Sequence, residues 1–222
     1  MKDPTARPRA VVFDLDGVLI DSEAPSAREL HALLQGEGVD CTLEDLRVLY
    51  GRPLPALKAF LLERLGDEEK AQRLREVYNT RARKLIECGE FRAFPGVLEL
   101  LSFLERNGLP IVVATSSVRS SALLKLKHAG LSRYFDIIVT GDEVLNGKPA
   151  PDIFLQAAER LGVVPSSCLL VEDSHAGVTA GIAAGMVVWA VCTTHSDKEI
   201  GFADRTFANI YALNMFLEEF LE

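Results

Sequence analysis

Five short stretches of the chain are apolar and rich in β-branched residues without alternating: residues 10–13 (AVVF), 111–114 (IVVA), 137–139 (IIV), 169–171 (LLV) and 187–191 (VVWAV). Unbroken apolar runs of this length suit strands covered on both faces, as in a parallel sheet. Helical patterns separate the later runs. "VLELLSFLERNG" follows Pro95-Gly96 and ends on Asn107-Gly108, a start signal and a stop signal. "SSALLKLKHAG" and "PDIFLQAAERLG" close on glycine in the same way. "SHAGVTAGIAAG" sets Gly177, Gly181 and Gly185 on one helix face, which predicts close packing on a sheet.

From residue 111 onward strand and helix alternate, the order of a doubly wound parallel α/β sheet of the Rossmann-like kind. The first strand stands apart from the second. The interval between them has no strand-like run and reads as helical, in "SARELHALLQGEG", "TLEDLRVLYG", "PALKAFLLERLG" and "DEEKAQRLREVYNTRARKLIECGE". The expected organisation is an α/β core of residues 1–21 and 92–222. An all-helical domain, residues 22–91, is inserted after the first strand, with hinges near 21–25 and 91–95.

Charge and composition narrow the partners. A net charge of −8 on 222 residues favours solubility and argues against a nucleic-acid binder, whose face would be basic. No apolar run approaches the ~20 residues of a membrane span. The opening "MKDPTARPRA" lacks the apolar segment of a secretion signal. Cys41, Cys88, Cys168 and Cys192 form no C-x-x-C pair, so reduced thiols in a cytoplasmic monomer or homodimer are expected.

Ligands in open α/β sheets bind beyond the carboxyl ends of the strands. The residues following each run are therefore informative: Asp14-Leu15-Asp16-Gly17, then Thr115-Ser116-Ser117, then Gly147-Lys148-Pro149, then Glu172-Asp173-Ser174, then Cys192-Thr193-Thr194-His195. A turn, a helix N-cap or a solvated loop lysine would explain any one of these alone. None explains four acids on one edge. Asp14, Asp16, Glu172 and Asp173 repel one another unless a cation sits among them, and an all-oxygen ligand set suits Mg²⁺. With Lys148 and a hydroxyl the set becomes one for phosphoryl transfer, in which a carboxylate serves as nucleophile.

These residues resemble the haloacid dehalogenase superfamily, in its phosphatase and β-phosphoglucomutase-like branch. "FDLDGVLIDSE", "VVATSS", "GKPAPDIF" and "LLVEDSHAGVTAGIAAG" are similar to its four motifs, in order. A helical insert after the first motif is the family's first cap type. The resemblance implies a sheet with the first strand central. It implies Asp14 as nucleophile and Mg²⁺ ligand, and Asp16 as general acid/base whose backbone carbonyl also meets Mg²⁺. It implies Thr115 on the transferring phosphoryl group, Lys148 between that group and Asp14, Asp173 on Mg²⁺, and Glu172 as ligand or supporting partner.

The dehalogenase and phosphonatase branches of that family have no acid two residues after the nucleophile, so by this resemblance Asp16 implies an oxygen leaving group rather than a halide. The expected activity is Mg²⁺-dependent hydrolysis of a small phosphorylated metabolite, a sugar phosphate first. Glu23, Arg52, Ser116, Ser117 and Arg119 are candidates for contacts beyond the phosphate. A sugar-phosphate mutase is the nearest rival. It would carry an Arg, a Lys and a His where this chain has Leu54, Val118 and Ser26. A non-enzymatic phospho-receiver or binding module is the rival of another class.

Overall fold

The computed structural model describes residues 2–50 and 54–221. The chain opens with strands β1 (Ala10–Phe13) and β2 (Ile20–Asp21). Four helices follow: α1 (Glu23–Gly36), α2 (Leu43–Leu46), α3 (Leu54–Leu65) and α4 (Glu68–Glu87). A short strand, β3 (Arg92–Ala93), leads into the alternating part. There α5 (Val97–Arg106), β4 (Ile111–Thr115), α6 (Arg119–His128), β5 (Ile138–Thr140) and α7 (Asp152–Leu161) succeed one another. Then come β6 (Cys168–Glu172), α8 (His175–Ala183), β7 (Val187–Val191), α9 (Asp197–Ile200), β8 (Arg205–Phe207) and α10 (Ile210–Leu221).

Six strands form one parallel sheet in the order β5-β4-β1-β6-β7-β8. β1 lies inside it, Val11 facing Ile111 on one side and Leu169 on the other. Successive residues of a strand point to opposite faces, and both faces are covered. Val11, Phe13, Val113, Val171 and Trp189 pack under α5, α6 and α10. Val12, Val112, Leu170 and Val188 pack under α7 and α8. Two-sided burial is why these strands read as continuous apolar runs.

The five predicted strands are present, with ends moved by a residue or two. β8 was not expected: its RTF sequence carries an arginine and lies at the sheet edge, half-covered. β2 and β3 were not expected either. They pair antiparallel, Ile20 with Ala93 and Asp21 with Arg92, at the two places where the chain leaves and re-enters the core. Between them α1–α4 gather a hydrophobic cluster of their own, around Leu30, Leu34, Leu46, Phe60, Leu61 and Leu74. "TLEDLRVLYG" yields only the four-residue α2, capped by Thr42 and Asp45, and a 3₁₀ turn at Arg47–Leu49.

The small-residue face of α8 needs one correction. Gly181 lies on the sheet, where a Cβ would come within 2.3 Å of Leu170 Cδ2. Gly185 lies beyond the end of the helix, with φ of +77° and open space around it. It terminates the helix rather than packing it.

Candidate active site

One rim of the sheet collects the polar residues because parallel strands all point the same way. Asp14 follows β1 directly, and its N–H donates to the Val171 carbonyl of β6 at 3.0 Å. Thr115 ends β4 and Glu172 ends β6. Asp14, Glu172 and Asp173 are all buried, and each offers one carboxylate oxygen within 4.8 Å of the others. Lys148, on the loop after β5, reaches this cluster with its Nζ 2.5 Å from Asp14 Oδ1 and 2.6 Å from Glu172 Oε1.

Glu172 is held hard. Its Oε2 accepts from the backbone N–H groups of Asp173 (2.7 Å) and Ser174 (2.8 Å) and from the Ser174 hydroxyl (3.0 Å). Ser174 also caps α8, accepting from Gly177 N–H at 3.0 Å. Gly177 makes room for this carboxylate, since a Cβ there would fall 1.7 Å from Glu172 Oε1. Gly17, with φ of +86°, does the same for Asp173: a Cβ would fall 2.0 Å from its Oδ2. The Thr194 hydroxyl donates to that Oδ2, and the Thr193 hydroxyl to the Gly17 carbonyl.

The electrostatics of the cluster are unbalanced. Burial would raise the Glu172 carboxyl, but the Lys148 charge and the donors around it hold it below its usual range. Burial would lower the Lys148 ammonium, but Asp14 and Glu172 outweigh that and raise it. Asp14 is pushed up to about 7, by burial first and by Glu172 as well, with Lys148 only partly compensating. Burial, followed by the charges of Glu172 and Asp14, pushes Asp173 well above the usual carboxylate range. Among the described residues, three buried carboxylates thus share a single ammonium. A cation is what the donor set lacks, and all-oxygen ligands fit a hard divalent one.

Asp16 is placed differently. Its side chain lies outside that cluster and faces the helical insert. Lys125 Nζ contacts both of its oxygens, at 2.6 and 2.8 Å, and the Ser117 hydroxyl donates to Oδ2 at 2.8 Å. Ser22 adds a further hydrogen bond from the hinge. Burial would raise this carboxyl, but Lys125 and these donors outweigh it and hold it low. Asp16 and Lys125 line a cleft of about 310 Å³ between insert and rim, with Glu23, Ser26, Tyr50 and Tyr78 on its other walls.

The remaining candidates divide. Thr115 is buried on the rim and its hydroxyl accepts from Ser117 N–H at 3.1 Å. Glu23 lines the cleft from the first turn of α1, and Ser117 binds Asp16. Ser116 is exposed, its backbone pressed against Gly141. Arg119 does not join the site. Its guanidinium bonds Glu143 and the Ile138 carbonyl, both at 3.2 Å, because α6 starts by turning it toward the end of β5. Arg52 lies outside the described residues. Lys125 was not foreseen, although it shares the buried stripe of α6 with Ala122 and Leu126, an unusual place for a lysine.

Residues 8–185 match the haloacid dehalogenase-like hydrolases. The chain belongs to this family. It is an enzyme of the family, a phosphoric monoester hydrolase. The phosphorylated carbohydrates phosphatase of Thermotoga maritima is 35% identical over 178 residues, which cover 80% of this chain and 82% of that protein. Hexitol phosphatase A of Escherichia coli is 34% identical over 188 residues, covering 83% of each. A haloacid dehalogenase family hydrolase of Deinococcus radiodurans, solved with bound phosphate and sodium, superposes with a TM-score of 0.85. It is 29% identical and 97% of each chain is covered. A β-phosphoglucomutase of Clostridium difficile gives a TM-score of 0.74 at 27% identity, covering 96% of this chain and 97% of its own. In this haloacid dehalogenase-like hydrolase the acidic cluster spans two strand ends, with Asp14 just beyond the inner strand β1 and Glu172 and Asp173 at the end of the neighbouring β6.

Proposed function

We propose that this hydrolase cleaves a small phosphorylated metabolite, a sugar phosphate first, through an aspartyl-phosphate formed on Asp14. The single observation that carries the reading is the split of the two acids. Asp14 sits in the buried cluster against Lys148, while Asp16, two residues on, faces the cleft. One can attack phosphorus while the other serves the departing oxygen. Lys148 would hold the phosphoryl oxygens and offset the charge that develops on them. Thr115 would donate its hydroxyl to the same group. Asp14, Asp173, Glu172 and the backbone carbonyl of Asp16 would hold Mg²⁺, which when bound neutralises phosphoryl charge.

Residues 22–91 would act as a cap, closing over the substrate and excluding bulk water. The polar groups that line the cleft, Glu23, Ser26, Tyr50 and Tyr78, suit a leaving group rich in hydroxyls. The phosphatases of phosphorylated carbohydrates and hexitols among the relatives support the same substrate class. The mutase reading gains nothing from the second motif, because Val118, just before α6, carries no charge and Arg119 is bonded to Glu143.

A phosphate-release screen over phosphorylated metabolites, with and without Mg²⁺, tests the proposal. Glucose 1-phosphate is checked in parallel for isomerisation. Sugar phosphates are expected at the top, and Asp14→Asn is expected to lose turnover while keeping its circular dichroism. Isomerisation without phosphate release, or an active Asp14→Asn enzyme, would overturn it.

A further inference from the structure

Lys125 has no packing reason to be a lysine. It stands on the inward stripe of α6 between Ala122 and Leu126, and its side chain is 9% exposed. Its Nζ is 5.6 Å from the centre of the Phe91 ring, at the re-entry of the insert. An ammonium kept in such a place must be partnered. Its partners are the two Asp16 oxygens and, at 3.1 Å, the Ser117 hydroxyl. The Ser117 hydroxyl in turn donates to Asp16 Oδ2. Lys125, Ser117 and Asp16 therefore form a closed triangle, with every edge a hydrogen bond.

That triangle decides where the Asp16 carboxyl points. An aspartate side chain has two free torsions, and the nearby ammonium of Lys148 already draws Asp14 and Glu172. Lys125 supplies a second ammonium on the cleft side. We propose that Lys125 is the positioning residue of Asp16, fixing its carboxyl in the cleft where the oxygen of the leaving group must lie. The inference rests on the reading of Asp16 as the acid/base.

The proton accounting is simple. Asp16, ionised in the free enzyme, takes up a proton from solvent as the phosphate ester binds; as an Asp14 oxygen then bonds to phosphorus and the ester P–O bond breaks, that proton passes to the departing oxygen. Water then attacks phosphorus, giving one proton to Asp16 as the bond to Asp14 breaks. Orthophosphate leaves. Lys125 takes no part in the transfer and acts only through the carboxyl it holds.

An alkyl ester needs that proton, because an alkoxide leaves poorly. An aryl ester does not, because a nitrophenolate departs as the anion. The test compares kcat/KM, which reports the step that expels the leaving group, for two probes. One is 4-nitrophenyl phosphate. The other is the hexose phosphate that the wild type hydrolyses fastest. Lys125→Met is expected to lose about 100-fold on the hexose phosphate and at most about fivefold on the aryl ester, in line with a misplaced general acid. Lys125→Arg, whose fork spans both Asp16 oxygens, is expected to recover all but about tenfold of the loss.

Equal losses on the two esters, or none, overturn the proposal. Lys125→Gln is made alongside, so that the same ratio decides should the Met variant not fold. Asp16→Asn separates the two levels of the argument. If it shows the bias against the hexose phosphate and the Lys125 variants do not, only the positioning role fails. If Asp16→Asn loses both esters equally, the acid/base reading itself fails.

Discussion

Gly177→Ala sets two effects of known sign against each other. In a helix, alanine is favoured over glycine by ~1 kcal/mol. At Gly177 the new methyl would land 1.7 Å from Glu172 Oε1, so one of the two must move. Glu172 is a flexible side chain, and on an open surface it would swing aside. Here it is fully buried and held by Lys148, by two backbone N–H groups and by Ser174. Yielding leaves buried donors unmatched at ~1–3 kcal/mol each. Losing two of them, at ~2–6 kcal/mol together, outweighs the helical gain. The expected net destabilisation is ~2–4 kcal/mol, roughly 5–15 °C in Tm for a chain of this length. Gly36→Ala is the control: Gly36 ends α1 with nothing within 4 Å of its would-be Cβ. It should gain about 0.5 kcal/mol. Both are read by urea unfolding, with an unchanged slope showing that only stability moved. A Gly177→Ala protein as stable as Gly36→Ala would show that Glu172 is not anchored as described.

Three further outcomes follow from the charges. In metal-free protein Asp14 is raised to about 7, so the native state holds a proton that the unfolded chain has released. The stabilisation from that proton is full below the ordinary aspartate range and is lost as pH rises through about 7. Chelated protein should therefore melt lower at pH 8 than at pH 5.5, and Mg²⁺ should restore most of the difference; a flat profile would refute the charge imbalance. Lys148→Met removes the single ammonium that the buried acids share, and in chelator should cost ~3–5 kcal/mol, part of it recovered with Mg²⁺. Glu143→Gln loosens the contacts with Arg119, Arg160 and Thr140; with the carboxylate a quarter exposed, the loss by thermal unfolding should be only about 1 kcal/mol. A larger loss there would mean the N-terminus of α6 depends on this cluster.

Legibility in the sequence followed burial. The inner strands were readable because cover on both faces demands apolar residues at every position, as in VVWAV of β7. β8 was not, because an edge strand tolerates Arg205 and Thr206. Two-residue strands such as β2 and β3 carry no period at all. Among the polar residues, Asp14, Thr115, Lys148, Glu172 and Asp173 could be assembled because each ends a strand, follows one directly or sits in the loop beyond one. Arg119 misled because nearness in sequence says nothing of the direction in which a helix start turns its side chains. Lys125 was hidden by the opposite effect, lying far along a helix from any motif. Only its place among Ala122 and Leu126 would have betrayed it.

The central position of β1 has a consequence for biosynthesis. β1 leaves the ribosome before both strands that flank it, which begin at Ile111 and Cys168. At about 5–20 residues per second, the second partner follows on the order of ten to thirty seconds later. Through that time AVVF is an apolar segment with at least one edge open, and Asp14 lacks the acids that complete its cluster. A chain halted before β6 would carry Asp14 and its whole helical insert, and still lack the acidic cluster. The site thus exists only once β6 has emerged, and the waiting strand is where nascent chains would need protection from one another.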